Sequence, residues 1–388
     1  MSNLSVTGAI VWLSGLMAVA GCGYIVATTV IVARFGSALR GARPTTPAEP
    51  VTVLKPLHGS EPRLRANLAT FLEQDWAAPI QLVAGVHSAQ DKAIAAVNRL
   101  APGTTSRAVG LVVDGRRHGA NAKIGNLINM MPSAAHDIIV LSDSDIAVTP
   151  AYLARVGGAL AEPGVGAVTC LYRGRGDNGF WSQLGGAAIS YRFLPSVLVS
   201  RALDAGAACM GSTIALRRET LDRIGGFERF ADILADDHAI GEAVRALGLQ
   251  VVIAPYVVTH ASTEPSLAAL FRHELRWGAT VRDINPAGYA GLIVTMPLPF
   301  ALLVLALAPG LAAGVLAGLT LALPILLKRA VDRLVGASTA PLWQMPLREC
   351  LSFVVFVTSF FVRTVDWQGA RLDMAPEGKI KAATSLGQ

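Results

Sequence analysis

Residues Ile138–Asp145, with the sequence IIVLSDSD, give the clearest indication of the fold class. Four consecutive apolar residues have the length of a short buried strand, and two acids separated by one serine follow at once. In α/β proteins, ligands bind outside the carboxyl ends of such strands. Asp143 and Asp145 therefore predict a polar site at the end of a buried strand.

The segments around this strand alternate between strand-like and helix-like patterns. Short runs rich in β-branched residues predict strands over Val51–Pro56, Gln81–Val86 and Leu111–Val113. Longer segments predict helices over 66–74, 89–100, 122–131 and 239–247. Strands that alternate with helices indicate an α/β domain with a parallel sheet. No internal repeat of 20–50 residues interrupts this pattern.

Two long apolar runs indicate a membrane protein. Only 15% of the 388 residues are charged, against about 25% in a typical soluble domain. Met1–Ala33 and Ile284–Leu327 contain no charged residue, and each exceeds the ~20 residues that a membrane-spanning helix needs. The second run is long enough for two spans that turn near Ala308–Gly310. The first lacks the basic n-region of a signal peptide, so we expect a retained anchor.

Basic residues beside the apolar runs predict the orientation. Arg34, Arg40 and Arg43 follow the first run, and Lys328, Arg329 and Arg333 follow the second. Because Lys and Arg concentrate on the cytoplasmic side, the segment between the runs is expected in the cytoplasm. A third apolar stretch, Leu351–Val362, is compatible with a span, an interfacial helix or a helix packed against the others.

These features predict five regions. They are an anchor over 1–33, a proline-rich linker over 34–50, a catalytic domain over 51–283, a membrane region over 284–363 and a tail over 364–388.

Composition also argues against several classes of protein. The four cysteines show no paired spacing, so neither a zinc site nor a disulfide framework is indicated. The net charge of +6 matches basic flanks at an anionic membrane, and no basic run interleaved with aromatics indicates nucleic-acid binding. A channel or transporter would place ionisable residues inside its spans, and these spans contain none. The oligomeric state is not indicated by the sequence.

The acids after the buried strand predict a divalent metal site. Mg²⁺ and Mn²⁺ prefer oxygen ligands and share their coordination with substrate phosphates. A nucleotide diphosphate held through Asp143 and Asp145 is therefore the expected ligand. A solvated turn is the alternative explanation, because Asp and Ser are common in turns.

A second acid pair, Asp236 and Asp237, precedes the predicted helix over 239–247. Adjacent carboxylates repel each other, which raises the pKa of at least one and suits it to act as a general base. A helix N-cap explains the same residues, and both roles can hold together: Asp236 as the cap and Asp237 facing the substrate.

Near the second apolar run, the segment His273–Trp277 (HELRW) places His273, Arg276 and Trp277 on one helix face. Arg276 would neutralise a diphosphate, and Trp277 would stack on a sugar or nucleotide. An aromatic and arginine belt at the membrane surface is the alternative. The mixed aromatic and basic segment Trp181–Leu203 is a candidate wall of an acceptor site, or else a helix buried in the domain.

Together, in this order, the acid pairs and the RW element resemble the ceramide glucosyltransferase family, glycosyltransferase family 21. The chain resembles the bacterial, hopanoid-associated branch of that family most, through Cys170–Gly174 (CLYRG) and Arg272–Trp277 (RHELRW). The resemblance covers nearly the whole chain. The shared segments are Val51–Gly59 (VTVLKPLHG), Asn121–Leu127 (NAKIGNL), Asp143–Asp145 (DSD), Gly225–Gly226, the acid pair 236–237 and the C-terminal apolar pair.

The resemblance implies a GT-A nucleotide-sugar-binding domain and an inverting transfer from a UDP-sugar to a membrane lipid, in the bacterial inner membrane. Asp91 would lie near the uridine, Lys123 near the phosphates, and Asp143 and Asp145 would hold Mn²⁺ or Mg²⁺. Asp237 would be the base. Arg276 and Trp277 would close over donor and acceptor.

The sequence departs from the family pattern at His273, which stands where Gln or Arg is usual, and at Asp91, which lies three residues beyond the usual acid. The sugar is glucose or N-acetylglucosamine, and the acceptor is a hopanoid polyol or, alternatively, a ceramide. A processive polysaccharide synthase, which needs more spans, and a non-catalytic scaffold are the further alternatives.

Overall fold

The computed structural model describes residues 6–41, 48–100, 107–203, 209–362, 364–367, 370–374 and 380–382. Residues 1–5 of the predicted anchor, residues 42–47 of the predicted proline-rich linker with Arg43, and much of the predicted tail lie outside these ranges.

A mixed eight-stranded sheet forms the centre of the domain. Its strands are β1 Val51–Pro56, β2 Ile80–Val86, β3 Arg107–Val113, β4 Ile138–Leu141, β5 Ile146–Ala147, β6 Val165–Gly176, β7 Ile214–Arg217 and β8 Gln250–Ser262. Their order is β3-β2-β1-β4-β7-β6-β8-β5. A separate antiparallel sheet joins β9 Thr364–Trp367, β10 Ala370–Met374 and β11 Ile380–Ala382.

The sheet is parallel only in part. Strands β1 to β4 are parallel, as the alternating pattern predicts. The expectation of a parallel sheet throughout is wrong at β7, which runs antiparallel to both β4 and β6. The chain crosses to β6 after β4 and then comes back along β7 between them, so β7 brings a second chain segment to the end of β4.

Helices cover both faces of the sheet. They are α1 Val6–Gly41, α2 Leu64–Thr70, α3 Ile94–Asn98, α4 Ala122–Met130, α5 Tyr152–Leu160, α6 Gly179–Ala188, α7 Leu194–Ala202, α8 Arg218–Arg223, α9 Asp236–Ala246, α10 Leu267–Ile284, α11 Pro286–Gly291, α12 Pro297–Leu307, α13 Leu311–Val335 and α14 Gln344–Ser359. A π-helical turn, Ile189–Phe193, joins α6 to α7 without a break.

The structure differs from the sequence-based prediction at four helix boundaries. The helix predicted over 66–74 ends at Thr70, and the one predicted over 89–100 is reduced to α3 because turns occupy the residues before it. Helix α9 begins at Asp236 with Ala235 as its N-cap, so Asp236 is not the cap. Helix α1 continues past residue 33 to Gly41, so the first residues of the predicted linker are helical.

Adjacent strand residues point into two separate cores. Val53 and Val140 face one core, whereas their neighbours Leu54 and Ile139 face the other, as the period of two requires. The first core also contains residues of two long apolar helices. They are Ile25 and Val32 of α1 and Leu327 and Val331 of α13. These helices are therefore packed directly on the sheet domain.

Helices α1 and α13 are long and apolar enough to cross a membrane, and a third crossing is possible if the pair Pro286–Thr295 and Pro297–Leu307, bent by 56°, forms one span. The chain is therefore a membrane protein. Helix α14, which contains most of the third apolar stretch, has 16 residues and packs against α10 and α12. Arg348 of α14 forms two 2.6 Å hydrogen bonds with Glu274 of α10.

Candidate active site

Strand β4 ends at Leu141, and the backbone leaves strand geometry at the following acids. The loop is held from below by the fully buried Lys55 of β1, whose Nζ donates to Ser142 Oγ at 3.0 Å and to the Asp143 carbonyl at 2.8 Å. The Lys55 ammonium also lies 3.6 Å from the centre of the Phe71 ring. Burial lowers the pKa of Lys55 to about 7 against the opposing charges of Asp143 and Asp145.

Lys123, in the first turn of α4, links the two predicted acid pairs. Its Nζ lies 2.7 Å from Asp143 Oδ1 and 3.2 Å from Asp236 Oδ2. Burial lowers the pKa of Lys123, but the charges of Asp143 and Asp236 more than offset burial, so the pKa is raised. The helix itself is fixed by Asn121, whose Oδ1 accepts from Ile124 N at 3.0 Å and whose Nδ2 donates to the Ile233 carbonyl at 2.7 Å.

Gly211, just before β7, forms the floor between these charged groups. Its backbone N donates to Asp237 Oδ2 at 2.9 Å. A methyl group built on its Cα would lie 2.8 Å from Asp143 Oδ2, 3.4 Å from Lys123 Nζ and 3.6 Å from Asp237 Oδ2. The absence of a side chain at this position thus keeps open a space that three charged groups face.

Both acids of the second pair hold protons more readily than usual. Burial raises the pKa of Asp236 to about 6, with Lys123 opposing and Asp237 reinforcing the change. The pKa of Asp237 is also raised, first by burial and against the opposing effect of Lys123. A carboxylate with a raised pKa in a charged pocket has the proton affinity that a general base requires.

Asp145 points to the side of the site formed by the end of β8. Its Oδ2 lies 3.1 Å from His260 Nε2, and its backbone oxygen accepts from Ala261 N at 2.9 Å. Burial and the nearby charge of Asp143 raise the pKa of Asp145 to about 7. Ser144 between the two acids donates to Glu61 Oε1 at 2.6 Å, and burial raises the pKa of Glu61 to about 7.

Two carboxylates of this loop fit a divalent cation. The buried Oδ1 of Asp145 has no hydrogen-bond partner among the described residues, and an unpaired carboxylate oxygen is the hard donor that Mg²⁺ or Mn²⁺ binds. No group of three His, Cys, Asp or Glu side chains within the described ranges is arranged to hold a metal by itself. Such a cation would therefore need oxygen ligands from a bound phosphate as well.

Helix α10 carries the RW element over the site. His273 Nδ1 is hydrogen-bonded to Glu264 Oε1, and the Trp277 ring meets the rings of His273 and His260 edge-on at 4.6 and 5.9 Å. Burial lowers the pKa of Arg276 to about 10, and the charges of Asp143 and Asp145 act in the opposite direction. Among the described residues, the guanidinium makes no hydrogen bond or ion pair that would hold it in place.

Asp91 is bound by backbone amides. Its carboxylate accepts from Gly59 N at 2.9 Å and 3.2 Å and from Ala93 N at 2.8 Å. It thereby joins the loop after β1 to the turn before α3. The described contacts connect Asp91 to neither acid pair, whereas Lys123 contacts both.

Several site residues were missed by the sequence reasoning. The sequence could have indicated Lys55 and His260, because each is a charged or titratable residue in an otherwise apolar strand. Burial of such a group is costly unless it is paired. No local sequence feature indicates Glu61, Gly211 or Glu264, since only the sheet order brings them to the acids.

Comparison with known proteins places this geometry in a family. The family model described as glycosyl transferase family 21 matches residues 13–380. Ceramide glucosyltransferase 1 of Caenorhabditis elegans is 25% identical over 271 residues, which are 68% of this chain and 57% of that protein. Ceramide glucosyltransferase 3 of the same organism is 23% identical over 232 residues, 58% of this chain and 49% of that protein. The chain thus spans about half the length of these relatives.

One solved structure shares the fold over nearly the whole chain. The mannosyltransferase PcManGT from Pyrobaculum calidifontis, in complex with GDP-Man and Mn²⁺, superposes with a TM-score of 0.55 at 21% identity. The match covers 90% of this chain and 99% of that one. The mixed sheet is therefore a GT-A fold. Since the family model matches most of the sequence, this protein belongs to glycosyl transferase family 21 and is a glycosyltransferase.

Proposed function

We propose that this protein transfers a hexose from a UDP-sugar to a hydroxyl group of a membrane lipid, with inversion at the anomeric carbon. The observation that carries the proposal is the open space above Gly211, which Asp143, Lys123 and Asp237 all face. Phosphate-binding groups and a candidate base thus meet at one point, in a domain packed on membrane helices.

The donor diphosphate would lie along Lys123 and Arg276. Lys123 offers a fixed positive charge, and Arg276 offers a planar donor that suits phosphate oxygens. Asp143 and Asp145 would hold Mn²⁺ or Mg²⁺, which when bound would neutralise charge on the diphosphate. Trp277 would stack on the sugar or nucleotide, and Asp91 would lie near the uridine. His273 would hold Trp277 in position, and Asp236 would position Lys123.

Asp237 would act as the general base. In one displacement its carboxylate accepts the proton of the lipid hydroxyl while that oxygen bonds to the anomeric carbon. The bond from this carbon to the diphosphate oxygen breaks, and UDP leaves with the electron pair. The backbone amides of Gly211 and His238 donate to Asp237 and fix its orientation. A single displacement from the opposite side inverts the configuration.

The acceptor we favour is a hopanoid polyol of the bacteriohopanetetrol type, and the sugar is glucose or N-acetylglucosamine. The enzyme would work at the bacterial inner membrane with its GT-A domain in the cytoplasm. Residues Trp181–Leu203 support a lipid acceptor, because helices α6 and α7 pack between the sheet and the apolar helices α1 and α14.

A ceramide acceptor is the second candidate, and the names of the two Caenorhabditis elegans relatives favour it. Both candidates present a hydroxyl at the polar end of a membrane lipid, so the same site chemistry serves either.

The test is a transfer assay with purified protein in detergent. The protein is incubated with UDP-glucose or UDP-N-acetylglucosamine, Mn²⁺ or Mg²⁺, and hopanoid polyol or ceramide, and the glycolipid is measured by mass spectrometry. We expect one donor and acceptor pair to give product that EDTA abolishes. Undiminished product in EDTA would contradict the metal site at Asp143 and Asp145. A folded protein that binds UDP and yields no product with any pair would contradict the proposed function.

A further inference from the structure

We propose that a cleft between the membrane helices and the helical segment 187–196 binds the acceptor lipid, with its hydroxyl-bearing end at Arg192 and Glu349. This inference rests on the proposed function and assigns a place to its acceptor. The cleft is partly open to its surroundings and has a cavity volume of about 80 Å³. Its apolar walls are formed by Ile25 of α1, Leu327 of α13 and Met296 at the bend before α12.

Three helix irregularities meet at this cleft. The π-helical turn Ile189–Phe193 contributes Tyr191 and Arg192, and such turns are frequent at functional sites. Pro324, which also lines the cleft, lies inside α13, where proline removes a backbone hydrogen bond and bends the helix. The 56° bend before α12 lies at Met296. At each irregularity the helix that forms one wall of the cleft departs from regular helical geometry. We infer that these three departures together keep the cleft open.

The lining of the cleft includes three charged side chains, Arg192, Arg348 and Glu349. Within the part of the chain that the structure describes, the Arg192 guanidinium makes no hydrogen bond, whereas neighbouring Arg348 is paired with Glu274. Glu349 Oε1 accepts from Leu298 N at 2.6 Å, and its second oxygen makes no hydrogen bond to any residue that the structure describes. Ionisable groups among membrane helices are costly and are typically retained for a ligand.

The pairing of a donor with an acceptor selects the type of lipid. Arg192 donates hydrogen bonds only, whereas a carboxylate such as Glu349 accepts them. A head group with hydroxyl or amide functions can satisfy both residues. A phosphate would bind Arg192 but would be repelled by Glu349. The occupant is therefore a neutral, hydroxyl-bearing lipid rather than a phospholipid.

A continuous row of aromatic contacts joins the cleft to the acids. Phe193 follows Arg192 and stacks on Tyr172 at 4.6 Å between ring centres. Tyr172 stacks in turn on His260 at 5.6 Å, and His260 contacts Asp145. With one polar group of the lipid held at Arg192 and Glu349, its reacting hydroxyl would extend from the cleft towards the acids, while the apolar part stays among the membrane helices.

Filling the cleft tests the assignment. Ser196 lines it and touches Tyr24 across it at 3.5 Å between hydroxyl oxygens, so Ser196→Phe narrows the space. The control is Val26→Phe, because Val26 is 49% exposed on the outside of α1. We expect Ser196→Phe and Arg192→Gln to raise the acceptor KM by about tenfold or more. Neither should change the donor KM or the hydrolysis of the UDP-sugar without acceptor. Arg192→Lys should recover part of the loss.

Photolabelling tests occupancy without requiring turnover. Diazirine-bearing hopanoid polyol and ceramide probes should label the peptide that contains residues 187–196. Unlabelled polyol or ceramide should compete with the label, and phosphatidylglycerol should not. Competition by phosphatidylglycerol alone, or a Ser196→Phe variant with the acceptor KM of Val26→Phe, overturns the inference. Competed labelling in a protein that transfers no sugar supports the cleft and contradicts the proposed function.

Discussion

Lys123 Nζ lies 2.7 Å from Asp143 Oδ1, and this ion pair joins the start of α4 to the end of β4. Because the same ammonium is 3.2 Å from Asp236 Oδ2, one cation holds together the two acid pairs that are far apart in the sequence. The acids therefore form one electrostatic unit, and a change in any member alters the proton affinity of the others.

Replacing Lys123 with Gln should destabilise the protein by about 3–5 kcal/mol, because it leaves buried carboxylates without a cation. Lys123 lowers the pKa of Asp236 and Asp237, so the variant raises both further. When folding raises the pKa of a carboxyl group, the folded protein binds that proton more tightly than the unfolded chain does. The free energy of unfolding therefore falls as the pH rises towards the raised pKa. The deficit in Tm against wild type should thus be smaller at about pH 5.5 than at about pH 8. The exposed Lys92→Gln is the control, and a deficit independent of pH would contradict this coupling.

Replacing Gly211 with Ala should block the donor rather than unfold the domain. The added methyl group would lie 2.8 Å from Asp143 Oδ2, inside the space assigned to the donor. Overpacking of this kind costs about 1–3 kcal/mol of folding stability. Because the methyl group also fills the space assigned to the donor, the donor Kd should weaken by about tenfold or more. Titration calorimetry with UDP measures the change. Gly110→Ala, which meets no atom within 4 Å, should bind as wild type does; normal UDP binding by Gly211→Ala would contradict the assigned position.

Local sequence patterns were enough to predict some residues of the candidate site, whereas others depend on contacts between distant segments of the chain. Asp143 and Asp145 could be predicted because their pattern is local: a buried strand followed by two acids. The RW element was predicted because His273, Arg276 and Trp277 share one helix face. Lys123 was assigned through family resemblance, since its partners come from other strands and helices.

Long-range placement explains what the sequence reasoning missed. Gly211 reaches Asp143 because β7 returns antiparallel beside β4, and nothing in its own neighbourhood indicates that return. His260 reaches Asp145 through the pairing of β8 with β5. The predicted helix over 89–100 was mostly wrong because the carboxylate of Asp91 binds the backbone amides of Gly59 and Ala93 and stabilises a turn there.

Replacing Arg276 with Gln should slow transfer while leaving the fold intact. Its guanidinium makes no hydrogen bond among the described residues, so its loss leaves no described partner unpaired. Removing one group that stabilises developing charge costs about 10²–10³ in kcat. The measurement is the initial rate of glycolipid formation at saturating donor. Arg272→Gln, an exposed arginine on the same helix, should keep the wild-type rate, and equal rates in the two variants would exclude a role for Arg276 in the reaction.

Replacing Lys55 with Met should change how stability depends on pH. The pKa of Lys55 is lowered to about 7 from 10.5, so between these values the unfolded chain binds the proton and the folded protein does not. Stability therefore rises with pH across this window, by at most about 1.4 kcal/mol per pH unit. Lys55→Met should remove that contribution. Thermal unfolding in EDTA from about pH 7 to about pH 10 measures the slope; an unchanged slope would show that Lys55 stays charged in the folded state.

Replacing Asp237 with Asn should abolish transfer and keep UDP binding. The amide keeps one oxygen, which can accept from only one of the Gly211 and His238 amides because these bind different carboxylate oxygens. It cannot take the proton of the acceptor hydroxyl. General-base catalysis contributes about 10²–10⁴ to the rate, and the glycolipid assay should show a loss in that range. Asp222→Asn, an exposed acid on α8, is the control. Neutralising Asp237 relieves repulsion with Asp236 and Asp143 but also removes its attraction to Lys123, so the variant should unfold near the wild-type temperature. A rate loss that comes with intact UDP binding and undiminished stability can then be assigned to proton transfer.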